Sequence, residues 1–263
     1  MIVERIWVNN PLRNYHYLVG CSETGDAVAI DPLDWQACLD RARARGWTIR
    51  QIVNTHEHHD HTGGNQPLAA ATGARVLAHA AAASVIGGVD RGLAAGDVIR
   101  VGNSVELECL DTPGHTRSHV CLLAHGEEAA LFSGDTLFNA GVGNCIHGGD
   151  PDLLYQTCSQ QLARLPAHIR IYPGHDYLRN NVGFTLSVEP DNAQAAQWRQ
   201  RLSQHDPVTA PVLTLAEERE INTFFRLDAA SVVAGLRARM PHLAPDPTRR
   251  DVFVALRQLR NSW

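Results

Sequence analysis

The sequence lacks the features that mark several common classes of protein. Its six cysteines are scattered, with no Cys-x-x-Cys pair, which argues against a disulfide framework and is typical of a reducing cytoplasm. No apolar run approaches the roughly 20 residues of a membrane-spanning helix. Residues 1–10 show no signal-peptide pattern. We therefore expect a cytoplasmic protein without a membrane anchor.

Positive charge is also scarce. The chain has 23 basic and 28 acidic residues and a formal net charge of -5 at pH 7. It thus predicts neither a basic face for nucleic acid nor a polybasic membrane signal. No Ser-His-Asp nucleophile motif, internal repeat or low-complexity tract is present. The 263 residues suffice for one large domain or for one domain with an appendage. The expected partner is a small molecule.

The densest cluster of metal-ligand residue types lies in residues 55–65. It places His56, His58, Asp60 and His61 within six residues, after an apolar strand and before a glycine turn that leads into a helix. Residues two apart in an extended loop point to the same side, so His56 and His58 can share one ion. Asp60 and His61 can then reach a second ion. Such density disfavours the alternative of a solvated polar loop.

The His-x-His-x-Asp-His pattern resembles the metallo-β-lactamase superfamily. This resemblance implies three further ligands that each follow a strand, and the chain has His115, Asp135 and His175 at such positions. The implied ligand sets are His56, His58 and His115 for a first ion, Asp60, His61 and His175 for a second, and Asp135 as a bridge between both. The expected cofactor is a pair of divalent metal ions, with zinc first and iron or manganese possible.

Strand and helix patterns predict an α/β fold. The order of elements before the ligand loop matches the first half of the metallo-β-lactamase αββα sandwich. Strands are predicted at residues 2–8, 15–19, 27–30 and 49–54, with a helix at 35–45. Residues 97–101 and 105–110 predict a hairpin. A helix is predicted from Leu153, with Asp152 as its N-cap.

The last third of the chain has a different, helical pattern. Helix-like segments occupy residues 178–187, 192–204, 215–222, 229–240 and 248–260, with prolines between them. We predict a metallo-β-lactamase-like metal-binding domain at residues 1–175 and a helical substrate-binding domain at residues 176–263.

The chain resembles glyoxalase II, the hydroxyacylglutathione hydrolases, over essentially its whole length. The likeness is carried by Pro-Gly-His-Asp-Tyr at 173–177, by Ser-Val-Glu-Pro-Asp-Asn at 187–192 and by the final helix. The resemblance implies that the helical domain covers the thiol half of the substrate and that Tyr177, Arg257 and Arg260 contact glutathione. Guanidinium groups suit its two carboxylates. The alternative for both arginines is a solvated basic face.

One segment departs from the family pattern. After the bridging aspartate the family carries a basic residue and a tyrosine that help to hold glutathione, where this chain has Asn144 and Ile146. Asn144 can still donate a hydrogen bond, and His147 on the same loop is a further candidate for substrate contact. The departure leaves the identity of the thiol half open.

Three other residues attract attention for their chemistry. Asp31 is expected near the metal site, where it either holds the ligand loop or takes part in catalysis. His119 is expected to support the site through a hydrogen bond and not to bind metal. Cys145 is expected to be a bystander thiol, because the metal site already supplies a nucleophile.

These observations predict a metal-dependent thioester hydrolase. Its expected substrate is S-D-lactoylglutathione or another 2-hydroxyacylglutathione, attacked by a hydroxide that bridges the two metals. Asp60 is expected to orient that hydroxide or accept its proton, and Asp135 to keep the ions together. Alternatives are a glutathione persulfide dioxygenase with one iron and a hydrolase of another thioester. A nuclease of the same superfamily, which the acidic balance disfavours, and a sensor that kept the fold are also considered.

Overall fold

The chain forms two compact units built from interleaved segments. The computed structural model describes all 263 residues. The first unit comprises Met1–Thr112, Ser118–Asp135 and Tyr172–His175, and the second comprises Pro113–Arg117, Thr136–Ile171 and Asp176–Trp263. None of the helices is both long and apolar enough to cross a membrane.

The first unit contains a six-stranded sheet whose strands lie in sequence order. They are β1 (Ile2–Trp7), β2 (Tyr15–Gly20), β3 (Asp26–Ile30), β4 (Thr48–Val53), β5 (Arg75–His79) and β6 (Arg91–Leu93). The pairs β1–β2 and β2–β3 are antiparallel, and those from β3 to β6 are parallel. Parallel neighbours need a crossover. The helices in these connections are α1 (Trp35–Arg45), α2 (His59–Thr62), α3 (Asn65–Thr72) and α4 (Ala83–Ile86).

A second sheet begins with the predicted hairpin. Its members are β7 (Val98–Val101), β8 (Val105–Asp111), β9 (Val120–Ala124), β10 (Ala130–Gly134) and β13 (Arg170–Pro173), in the spatial order β13-β10-β9-β8-β7. β7 and β8 pair antiparallel with Val101 opposite Val105, which confirms the hairpin. β11 (Leu137–Phe138) and β12 (Gly141–Val142) form a separate two-stranded ribbon.

The core of the first unit lies between the first sheet and the helices α1 and α3. Leu18, Cys38, Ile52 and Leu68 belong to one buried cluster there, and each large aliphatic side chain contributes about 1.5–3 kcal/mol by leaving water. Asp34 caps α1 by accepting a hydrogen bond from the Ala37 N–H. The sheet and its crossover helices therefore hold the strand ends in fixed positions.

The second unit is mainly helical, as the sequence predicts. Its helices are α5 (Pro151–Gln156), α6 (Leu178–Val188), α7 (Ala193–Arg201), α8 (Leu215–Ile221), α9 (Ala230–Arg239) and α10 (Arg249–Asn261). Capping boxes start α8 at Thr214 and α10 at Thr248. A buried cluster joins Val182, Ala195 and Ile221 of three helices to Ala140 beside the ribbon.

The predicted N-cap of α5 is wrong. The cap is Asp150, whose side chain accepts hydrogen bonds from the N–H groups of Asp152 and Leu153. Pro151 then occupies the first helical position, where its missing N–H and fixed φ are favourable. The α-helix also ends at Gln156 and continues as a π turn and a 3-10 turn.

All 23 basic side chains are arginines, so the chain has no lysine. Several pair with carboxylates, and the best enclosed of these pairs joins Arg226 to the buried Glu189 at 2.6 Å. Ser231 and Asn192 also donate to Glu189. Arginine suits such positions because its rigid fork matches carboxylate geometry.

Candidate metal centre

Four of the seven predicted ligands follow the carboxyl end of β4. His56 and His58 lie on the short segment before α2, and Asp60 and His61 lie in that helix. The side chains of His56 and His61 are almost entirely buried. A buried parallel strand that leads into a short helix is a rigid support. The backbone of these four residues is therefore fixed in the folded chain.

The second predicted half-site converges in the first unit. One ligand atom from each of Asp60, His61 and His175 lies within 4.8 Å of the others. The Nε2 atoms of His61 and His175 are 3.2 Å apart, and each lies 3.5 Å from Oδ2 of Asp60. Four ligands around a zinc ion with bonds of about 2.0–2.2 Å are separated by about 3.3–3.6 Å. The spacing therefore fits a bound cation.

Asp135 faces the same two imidazoles. Its Oδ1 lies 3.4 Å from His61 Nε2, and its Oδ2 lies 3.2 Å from His175 Nε2. Two carboxylates and two ring nitrogens thus point at one small volume. Such a donor set repels itself unless a cation or a proton lies between its members, which is the chemistry of a divalent metal site.

The ring orientations support metal binding through Nε2. Nδ1 of His61 lies 3.0 Å from Oδ2 of Asp31, and Nδ1 of His175 lies 2.7 Å from the Leu12 carbonyl oxygen. Each Nδ1 therefore carries the proton and donates it. The lone pair is then on Nε2, the atom that faces Asp60 and Asp135.

His56 and His58 also come together, as the two-residue spacing predicts. Nε2 of His56 lies 3.0 Å from Nδ1 of His58. On its other side, Nδ1 of His56 lies 3.0 Å from the Thr55 hydroxyl. The two nitrogen atoms therefore lie close enough to bind one ion, as the prediction of a first ion requires.

Asp31 holds the ligand loop. It accepts hydrogen bonds from the Thr55 N–H at 2.8 Å and from the Thr55 hydroxyl at 2.7 Å, in addition to its contact with His61. Its backbone has φ 52, an uncommon conformation for a residue with a side chain. The contacts favour the loop-holding interpretation of Asp31 over a catalytic one.

His119 forms a hydrogen bond with the backbone of Asp135, which confirms the prediction that it supports the site. Its Nε2 accepts a hydrogen bond from the Asp135 N–H at 3.1 Å, and its Nδ1 lies 3.0 Å from the Thr112 hydroxyl. The preceding Gly134 has φ +46, and a Cβ there would lie 2.4 Å from the Thr55 hydroxyl oxygen. Only glycine can therefore precede Asp135 in this arrangement.

Asn14 is a supporting residue that sequence reasoning missed. Its side-chain amide donates to Oδ2 of Asp60 at 3.0 Å and to the Asp60 carbonyl at 3.2 Å. The sequence of the segment that contains Leu12 and Asn14 predicts only a turn between two strands. Nothing in its local pattern indicates contact with ligands 46 and 163 residues away along the chain.

Charge within the site is strongly coupled. Burial alone would lower the pKa of His61, but the carboxylates of Asp135, Asp31 and Asp60 outweigh it and raise that pKa to about 9. Burial works against ionisation of Asp60, yet His61 and the hydrogen bond from Asn14 lower the pKa of that carboxyl group. The negative charge of the three carboxylates therefore favours a positive charge between them, either a proton on His61 or a bound metal ion.

His115, the remaining predicted ligand, belongs to the second unit. It lies on Pro113–Arg117 and is buried. Its Nδ1 lies 2.6 Å from the carbonyl oxygen of Asn144. Nδ1 therefore carries the proton, and the lone pair is on Nε2, as in His61 and His175.

A cavity of about 200 Å³ in the second unit collects four of the five predicted substrate contacts. They are Asn144, Tyr177, Arg257 and Arg260. His147 is exposed on the neighbouring loop and does not line this cavity.

The Cys145 thiol, on the loop beside the cavity, is not activated. Burial raises the pKa of Cys145 to about 11, against the opposing charge of Arg257. A protonated thiol is a poor nucleophile, which agrees with the bystander interpretation.

Comparison with known proteins identifies both parts of the chain. The family model described as the metallo-beta-lactamase superfamily matches residues 17–175, and the one described as hydroxyacylglutathione hydrolase C-terminus matches residues 176–263. Among solved structures, ETHE1 from Myxococcus xanthus is 25% identical with a TM-score of 0.68, covering 100% of this chain and 99% of that one. The predicted α/β metallo-β-lactamase fold is thereby confirmed.

Curated relatives match from end to end. A protein named hydroxyacylglutathione hydrolase from Polaromonas sp. is 58% identical over 263 residues, and one of the same name from Nitrosococcus oceani is 56% identical over 263 residues, with 100% of both chains covered in each case. The two family models meet without a gap between residues 175 and 176. The chain belongs to the glyoxalase II family, the hydroxyacylglutathione hydrolases of the metallo-β-lactamase superfamily.

Proposed function

We propose that this chain hydrolyses 2-hydroxyacylglutathione thioesters, foremost S-D-lactoylglutathione, to glutathione and a 2-hydroxy acid. Metal-dependent thioester hydrolysis is the activity of its family. The observation that carries the proposal is the convergence of His61 and His175 Nε2 on the carboxylates of Asp60 and Asp135 at 3.2–3.5 Å. This donor set occurs in a chain that matches hydroxyacylglutathione hydrolases over its full length.

The proposed ligands form two sets that share Asp135. The first set is His56, His58 and His115, and the second is Asp60, His61 and His175. Four of the proposed ligand histidines have a hydrogen-bond acceptor at Nδ1: His56, His61, His115 and His175. The proton is then on Nδ1 and the lone pair on Nε2, which supports this assignment. Zinc is the first choice for neutral imidazole with carboxylate, although iron and manganese accept the same donors.

When bound, divalent cations here supply the acidity that lowers the pKa of water to about 7 and the charge that stabilises the developing oxyanion. Asp60, held by Asn14, orients the attacking water or accepts its proton. Asp135 presents one oxygen to each of His61 and His175, which places its charge in the second half-site, and as the ligand shared with the first set it would help to hold both ions. The thiolate leaves readily and takes up a proton, so no strong general acid is required.

The cavity of the second unit suits the thiol half of the substrate. Arg260 lies beside the rings of Phe184 and Trp263 and donates to Asn181, which holds its charge in place. Tyr177 packs edge-on against Phe138. Glutathione carries two carboxylates, which guanidinium groups bind well. In this proposal residues 1–175 bind metal and residues 176–263 form the helical domain that binds the thiol half. Its contacts would be Tyr177, Arg257 and Arg260 of that domain, together with Asn144 and His147 of the loop after Asp135.

The expected surroundings of the enzyme follow from the same proposal. All six cysteines are free thiols, which suits a reducing cytoplasm. The net charge of -5 agrees with a small-molecule partner and with no role for nucleic acid or a membrane surface.

The proposal is tested by hydrolysis of S-D-lactoylglutathione with metal content assayed in the same preparation. We expect rapid turnover with about two metals per chain. Two metals without turnover would retain the hydrolase but point to another thioester. One iron without turnover, together with oxygen uptake on glutathione persulfide, would replace the proposal with the dioxygenase.

A further inference from the structure

Arg257 on α10 is buried among neutral oxygen atoms. Only 5% of its surface is exposed. Its Nη1 donates to the carbonyl oxygens of Val142 and Gly143 at 2.8 and 3.1 Å, and its Nε and Nη2 donate to Asn261 at 3.1 and 2.9 Å. These four hydrogen bonds leave few of its five N–H donors for any ligand. Arg257 therefore acts first on the loop that contains Val142 and Gly143.

The next residue of that loop holds His115. The carbonyl oxygen of Asn144 lies 2.6 Å from Nδ1 of His115. The backbone that precedes His115 is tied down separately: the Gly114 carbonyl accepts from the Asp150 N–H, and the Pro113 carbonyl accepts from the Thr157 hydroxyl. The contact with Asn144 holds Nδ1 of the imidazole and so sets its tautomer.

We propose that Arg257 is a positioning residue for the metal ligand His115. Its guanidinium fixes the carbonyls of Val142 and Gly143, and through them the peptide plane of Asn144, whose carbonyl oxygen orients the ring. This inference rests on the proposed role of His115 as a ligand. Arg257 also lines the thiol cavity, so the same loop joins that cavity to His115 within the second unit.

Arg260 provides a matched contrast one turn along α10. It also lines the cavity, but its hydrogen bond goes to the Asn181 side chain at 3.2 Å and not to residues 142–144. Its charge is available to a carboxylate of the thiol half. In this inference Arg257 acts chiefly on the orientation of His115, and Arg260 acts on the charge of the substrate.

The test compares Arg257→Lys and Arg257→Met with Arg260→Met and with His115→Ala as the reference for loss of the ligand. Lysine keeps the charge but cannot form the fork on two carbonyls. Metal affinity is measured by competition with a chelator, and the visible spectrum of the cobalt-substituted protein reports ligand geometry. KM and kcat are measured separately, and thermal unfolding confirms that each variant folds.

We expect both Arg257 variants to bind metal about 10- to 100-fold more weakly, with an altered cobalt spectrum and a fall in kcat larger than the change in KM. Arg260→Met should raise KM and leave metal affinity and the cobalt spectrum unchanged. If Arg257→Lys keeps both metal readouts and only raises KM, Arg257 is a substrate contact and the inference fails.

Three further outcomes distinguish a failure of this inference from a failure of the proposed function. If Arg257→Met does not fold, Arg257→Lys and Asn261→Ala, which removes two of the four hydrogen bonds, decide the question. If His115→Ala retains wild-type metal affinity and spectrum, the ligand assignment in the proposed function is wrong. If only His115→Ala alters them, the ligand assignment stands and the role of Arg257 is rejected.

Discussion

At the scale of single residues, the site depends on where each imidazole proton goes. A sequence identifies His61 and His175 as ligand types but not the nitrogen that binds. That choice is made by Asp31 and by the Leu12 carbonyl, which take the Nδ1 proton. Both acceptors are distant in sequence, so only the folded chain determines the tautomers.

Asp135→Asn should remove most of the activity and at least one metal ion per chain. The amide keeps the shape but loses the charge that faces His61 and His175 at 3.4 and 3.2 Å. Loss of several kcal/mol of metal-dependent stabilisation corresponds to a decrease in kcat of about 100-fold or more. Metal analysis and steady-state kinetics measure it. Asp40→Asn, on the exposed face of α1, is the control, and unchanged metal content in Asp135→Asn would refute the bridging assignment.

Asn14→Ala should weaken metal binding without changing KM. It removes the amide that donates to Oδ2 of Asp60, and loss of such a supporting bond typically costs about 10- to 100-fold in metal affinity or activity. Chelator competition provides the affinity. Asn14→Asp should be worse, because it places a second carboxylate against Asp60. Wild-type affinity in both variants would show that Asp60 needs no such support.

At the scale of secondary-structure elements, the loop after Asp135 is shaped by helices of the second unit. Glu218 of α8 accepts from the Asn139 side chain at 3.0 Å and from the Ala140 N–H at 2.8 Å, and Asn222 donates to the same carboxyl group at 3.0 Å. Asn181 of α6 donates to the Asn139 carbonyl. This network fixes Ala140 at φ 57, a conformation that its own sequence does not favour.

Glu218 should make stability depend on pH. Burial outweighs its three donors and raises the pKa of Glu218 from 4.5 to about 7. A carboxyl group with a raised pKa contributes stability below pH 4.5 that is lost as the pH rises through about 7. The expected decrease in the free energy of unfolding is at most about 3 kcal/mol. Denaturant titrations between pH 5 and 8 measure it, and Glu218→Gln should flatten the dependence. An equal slope in the variant would assign the effect to another group.

The secondary-structure elements show which features of the fold and of the site can be predicted from the sequence alone. The local pattern at residues 56–61 predicts four candidate ligands, and the resemblance to the metallo-β-lactamase superfamily implies the other three at strand ends. The hairpin at β7 and β8 is local as well. The N-cap of α5 was misassigned by two residues because Asp150 and Asp152 both flank Pro151. The supports from Asn14, Leu12 and Arg257 could not be predicted, since each joins segments far apart in sequence.

At the scale of the whole molecule, bound metal should contribute to stability. The first unit brings together ligands that follow β4, β10 and β13, and a cation that binds only this arrangement favours the folded chain. At a concentration 1,000-fold above Kd the gain is about 4 kcal/mol, which corresponds to a Tm shift of about 10 °C for a chain of this size. Chelator treatment should lower Tm, and added zinc should restore it. A Tm indifferent to chelation would argue against a preformed site.

The absence of lysine has a chemical consequence for an enzyme that handles thioesters. A thioester transfers its acyl group to unprotonated amines, and this chain presents no amino group apart from its N-terminus. Guanidinium groups stay protonated and do not compete as nucleophiles. The one cysteine that is not fully buried, Cys145, is held as a thiol by its raised pKa. The protein can therefore meet high concentrations of an acyl donor with no lysine side chain open to stable N-acylation.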